Sequence, residues 1–128
     1  MRADLGRICS GTLLASGMAG LAMPDRVGRA LHVALVSSRG RAEVRAGLGG
    51  TFAGMAAYAF VSRSRGAQLA VAATWLGAAA SRMLATRLDD PEVDWTYWSY
   101  LALELTLGCA GVWAAHEVVH HSPRRAVG

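Results

Sequence analysis

The chain has 128 residues, 53% of them hydrophobic and 17% charged, and its net charge of +4 is carried by arginine with no lysine. That length holds one domain, and the charged share falls below the roughly 25% of ordinary soluble domains. The arginines sit at segment ends with no aromatic platform between them, which argues against a nucleic-acid partner.

Four stretches are almost free of charge: Ile8–Met23, Ala46–Ser62, Gly66–Ser81 and Trp95–His116, the last interrupted by Glu104. A bilayer-spanning helix needs roughly 17–25 residues. The expected fold class is therefore all-α, a four-transmembrane-helix bundle with a short interfacial amphipathic helix, forming a single membrane domain over residues 1–128. A soluble bundle rich in Ala and Gly is the competing fold. It fits less well because each segment is apolar nearly all round rather than along one stripe. Cys9 and Cys109 lie inside apolar segments, so buried free thiols are expected rather than a disulfide.

The first expected span covers residues 7–23. Arg2 and Arg7 before an apolar run, with Gly20-Leu21-Ala22 behind it, also fit a signal peptide. The membrane-like remainder favours an uncleaved helix, and its small residues suit close packing against neighbours. Pro24 and Asp25 end it. Residues 25–36 then place Val27, Ala30, Leu31, Ala34 and Leu35 at helical spacing opposite Arg26 and Arg29, the pattern of a helix lying on the membrane surface. His32 in this segment reads as a surface histidine.

The charged run Ser38–Arg45 leads directly into the second expected span, residues 42–62. Gly50 and Gly54 form a Gly-xxx-Gly pair that permits a close helix crossing. Arg63 to Gly66 makes a short basic hairpin. The third span covers 66–86, with Trp75 midway and Arg82 one turn before its end. The acidic loop Leu88–Asp94 lacks EF-hand spacing and reads as a solvated turn whose Asp94 caps the next helix. The fourth span covers 95–117 and opens with an aromatic belt, Trp95 to Tyr100. Both termini, Arg63 and Arg65 then share one membrane side. Few acidic residues accompany those arginines, so the termini are expected in the cytoplasm of a bacterial cell, with the protein in its inner (plasma) membrane.

Glu104 falls roughly 13 Å along the helix from Trp95 at 1.5 Å per residue. A charge at bilayer mid-depth costs about 2.5–3.5 kcal/mol on insertion scales, so Glu104 should face the bundle and find a partner. Arg45 and Arg82 can approach from the same membrane side. A buried cluster of Arg45, Arg82 and Glu104 is expected, with Glu43 and Arg41 as further members. Three readings stay open for it. The charges lock helix register, Glu104 is a proton or cation site, or the surplus arginines form an anion or lipid-headgroup pocket.

His116-Glu117-Val118-Val119-His120 matches the H-E-x-x-H zinc pattern, in which i and i+4 imidazoles share a helix face. A third ligand is missing from the few residues that follow. Histidines at a helix C-terminus also complement its dipole. No metal site and no cofactor are expected. There is neither a phosphate-binding glycine loop after a strand nor a nucleophile–histidine set.

Arg41-Ala42-Glu43-Val44-Arg45 followed by Gly47, Gly49 and Gly50, then Arg82, Asp89 and Glu104, resembles the DUF4345 family of small bacterial membrane proteins, which are broadly DoxX-like. The resemblance spans Arg39 to Val112. It implies a four-helix membrane fold and no activity. The function expected is non-enzymatic: an accessory subunit or helix-bundle module of a larger membrane complex or homo-oligomer, holding a lipid or small hydrophobic ligand near the charge cluster. A proton- or cation-coupled carrier working through Glu104 is the alternative. A zinc-dependent membrane enzyme is more remote.

Overall fold

The computed structural model describes residues 2–117, with side chains from 4 to 116. The described residues are all-helical, with five helices and no strand. These are α1 (Arg2–Ala22), α2 (Pro24–Ala30), α3 (38–62), α4 (Arg65–Leu88) and α5 (Trp95–Glu117).

Local chemistry explains the boundaries. Pro24 opens α2, where its missing N–H is no loss. The α2 end is a Schellman turn: Val33 N–H donates to the Gly28 carbonyl at 2.8 Å and His32 N–H to the Arg29 carbonyl at 3.1 Å. His32 takes the left-handed position there, with φ 57°. Ser37 caps α3 by accepting from Gly40 N–H, and Ser64 caps α4 by accepting from Ala67 N–H. Asp94 caps α5 by accepting from Tyr97 N–H at 2.8 Å.

Two expectations about these elements are corrected. The interfacial helix was expected over 25–36, but helical structure ends at Ala30. Leu35 folds back to within reach of Gly28, where a Cβ would lie 2.9 Å from the leucine side chain. The Schellman turn directs it there and takes the apolar residues after His32 off the helix. The second expected span is a continuous helix whose centre, Arg45–Gly50, winds as a π-helix. The sequence RAGLGG supplies little side chain to resist the wider turn.

The described residues divide into two compact units, one of residues 2–9 with 63–117 and one of residues 10–62, so α1 contributes to both. In the first unit α4 and α5 run antiparallel, joined by the loop after Leu88. Leu76 lies against Gly108, where a Cβ would come within 2.5 Å of its Cγ, and Ala72 lies against Gly111. The start of α1 joins them. Trp75 Nε1–H donates to the Cys9 carbonyl and the Cys9 thiol donates to the Leu107 carbonyl, each at 3.3 Å. In the second unit α1 and α3 cross at backbone contact. A Cβ on Gly20 would meet Gly49 Cα at 2.9 Å, and one on Gly17 would meet Ala53 Cα at 2.9 Å. The expected Gly50–Gly54 pair does not make this crossing. Gly54 faces open space, and Gly50 meets only the carbonyl of its own Arg45. Gly49 and Ala53, one residue earlier, carry the contact.

The interiors are built from small groups. Ala56, Ala59, Ala72, Ala79 and Ala115 are fully buried, with Leu13 and Val71 the largest apolar side chains that are. Large apolar side chains point out, among them Phe60, Val61, Leu84, Leu103 and Trp113. Among the described residues one helix, α4, is long and apolar enough to cross a membrane, against four spans expected. α1 and α5 have the length for a span but fall short of the required hydropathy. Cys9 is buried as expected; Cys109 is exposed, because it lies on the side of α5 away from Leu107 and Gly111.

Candidate functional site

Position 82 falls on the same face of α4 as Ala72, Trp75 and Ala79, which pack inward at helical spacing. Tyr97, Tyr100 and Glu104 share a face of α5 at i, i+3 and i+7. The antiparallel pairing of the two helices brings these faces together.

The result is a two-point ion pair. Arg82 Nε–H donates to Glu104 Oε2 at 3.1 Å and Nη2–H to Oε1 at 2.7 Å. Both carboxylate oxygens therefore hold a donor, the fork-on-fork geometry that only arginine provides. Glu104 is 6% exposed. The Arg82 side chain is 22% exposed. Tyr97 lies 5.2 Å from the guanidinium carbon and Tyr100 5.5 Å, so two ring faces screen the cation. Tyr97 also ties the helices directly, its hydroxyl donating to the Arg82 backbone carbonyl at 2.6 Å.

The other expected members of the cluster belong to the second unit. Arg45 donates to the Leu21 carbonyl at the end of α1, where a cation complements the helix dipole. Glu43 pairs with Arg39 at 3.8 Å, one turn apart on an exposed face. Arg41 is half-buried on α3. The structure thus brings Arg82 and Glu104 together and gives Arg45 and Glu43 separate partners. The physical reason is local: a carbonyl at a helix end and an i, i+4 carboxylate are close at hand for the arginines at the head of α3.

The two tyrosines were missed as site residues, because an aromatic run at a helix start reads as a membrane-interface belt. Their i, i+3, i+7 spacing to Glu104 carried the signal. His116 is exposed on the last turn of α5. The Glu117 side chain and His120 lie outside the described residues, and so does the rest of the H-E-x-x-H stretch. No group of three metal-ligating side chains occurs among the described residues. Asp94, the last carboxylate of the acidic loop, is engaged as the α5 cap.

No family model, no curated protein and no solved structure matches the chain.

Proposed function

We propose that this chain is a small multi-pass integral membrane protein of non-enzymatic character, a helix-bundle module that serves as a subunit in a larger membrane assembly. The observation that carries the reading is the distribution of side-chain size. Apart from Leu13, Val71, Trp75 and Leu107, alanine, glycine and other small groups fill the interiors, while Phe60, Val61, Leu84, Leu103, Leu105 and Trp113 face outward. In water such a surface would be an association hazard. In lipid it is the expected arrangement, since helices there gain from close backbone packing and not from burying large apolar groups. α4 adds support: it is apolar enough to span, yet 22% of its most apolar stretch is buried, unlike the core helix of a soluble protein.

Within this reading the Arg82–Glu104 pair is a register lock. A charge in the apolar layer is tolerated when matched and hydrogen-bonded, and both Glu104 oxygens accept from one guanidinium. A carrier working through Glu104 would have to exchange that partner on every cycle. Alkaline carbonate extraction of membranes from expressing cells tests the placement. The chain is expected to stay in the membrane pellet and to need detergent for release. Release by carbonate or salt alone would overturn the membrane reading.

A further inference from the structure

The second unit has an open surface depression of about 470 Å³ whose lining includes Arg26, Arg29 and Arg45, with Asp25 as the one acidic side chain, all four of them exposed. Three arginines and one aspartate leave a surplus of two positive charges along this depression. Each arginine has a structural reason to be there. Arg26 and Arg29 are three residues apart on α2 and so share a helix face. Arg45 begins the π-helical turn of α3 and is pinned by its bond to the Leu21 carbonyl. That bond uses one of five N–H donors. Arg26 Nη1–H rests on the Met23 thioether sulfur at 3.6 Å. Sulfur is a weak acceptor, which an anionic oxygen displaces readily. Met23 and Pro24 supply apolar lining beside the charges.

We propose that this open depression is a binding site for a phosphate group, with Arg26, Arg29 and Arg45 as its donors. Arginine forks match phosphate oxygens in geometry and charge, and no residue type in the lining other than Asp25 opposes an anion. A phospholipid headgroup and free inorganic phosphate present the same chemistry. The phosphate chemistry stands on the depression alone, while a lipid source rests on the membrane reading above.

The test is a binding titration on the detergent-purified full chain, followed by tryptophan fluorescence and thermal stability. The probes are short-chain phosphatidylglycerol, phosphatidylcholine of the same chain length, and inorganic phosphate, at matched ionic strength. Saturable binding of phosphatidylglycerol over phosphatidylcholine is expected. Arg26→Gln with Arg29→Gln is expected to weaken it about tenfold or more, the scale of lost charged hydrogen bonds. Asp25→Asn should tighten it. Arg63→Gln with Arg65→Gln removes the same charge from the first unit and should leave binding unchanged. Should the double variant fail to fold, Arg29→Gln alone carries the comparison. Saturable inorganic phosphate binding with the same variant pattern, and no added effect of the lipid, would identify free phosphate as the ligand and still uphold the site. Equal losses in both double variants, or no saturable binding of either anion, would overturn it. Carbonate release of a chain that still binds phosphate would sink the membrane reading and leave the phosphate site standing.

Discussion

Arg82 reaches Glu104 with two N–H groups while the rings of Tyr97 and Tyr100 flank its guanidinium at 5.2 and 5.5 Å. Breaking a buried pair by removing one partner typically costs about 3–5 kcal/mol, because the other charge is left uncompensated. Arg82→Gln and Glu104→Gln should each lower stability on that scale in detergent, and the double variant should cost little more than either single one. A thermal or denaturant double-mutant cycle reads this directly. A neutral or stabilising Glu104→Gln would show instead that the carboxylate is kept for a task, and would promote the carrier. Tyr97→Phe isolates the hydroxyl: it retains the ring and should cost about 1 kcal/mol, the net worth of one hydrogen bond. His32 offers the opposite sign. A left-handed backbone costs a non-glycine residue roughly 1–2 kcal/mol, so His32→Gly at φ 57° should raise stability by about 1 kcal/mol. The need of Glu104 for a cation was legible because a lone carboxylate in an apolar helix demands one, and Arg45 and Arg82 both qualified by depth. The separate fate of Arg45 was not, since a backbone carbonyl at a helix end leaves no mark in the pattern of charged residues.

Between elements, glycine position decides how closely α1 and α3 approach. A Cβ at Gly17 would press on the backbone of Ala53 and lie 2.9 Å from the Gly49 carbonyl oxygen, and backbone has no side-chain torsion with which to yield. Gly17→Ala should therefore cost about 1–3 kcal/mol, the usual range for an overpacked interior. Gly54→Ala meets nothing within 4 Å. It should gain about 0.5–1 kcal/mol from better helix propensity. Melting temperatures of the two variants side by side separate the observed crossing from one built on Gly50 and Gly54. The sequence announced that a close crossing was available. Its register could not be read, because Gly47, Gly49, Gly50, Ala53 and Gly54 all qualify as small. The π-helical turn at Arg45–Gly50 adds to that ambiguity, since it rotates the residues after it relative to a regular 3.6-residue count.

For the whole molecule, an outer surface rich in large apolar groups over an interior mostly of small ones predicts detergent-dependent solubility and retention in carbonate-washed membranes. The two cysteines give a further check. Cys9 is 1% exposed and Cys109 is exposed. A small apolar maleimide should modify the detergent-solubilised chain once, at Cys109, and Cys109→Ala should abolish the added mass. Modification at Cys9 would mean that the start of α1 leaves α4 and α5, since the Cys9 thiol and carbonyl are both bonded to those helices. The sequence by itself determined that the chain is helical, that Asp94 begins a helix, and that Glu104 needs a cation. Hydropathy, capping chemistry and the cost of an unmatched charge are local properties and are written residue by residue. Only the tertiary structure decided that Arg82 is that cation, that Tyr97 and Tyr100 flank it, and that Gly49 with Ala53 carries the α1–α3 crossing. It alone placed Arg26, Arg29 and Arg45 along one surface depression. Those outcomes turn on which helix faces meet and at what register, quantities that arise only when segments distant in the chain come into contact.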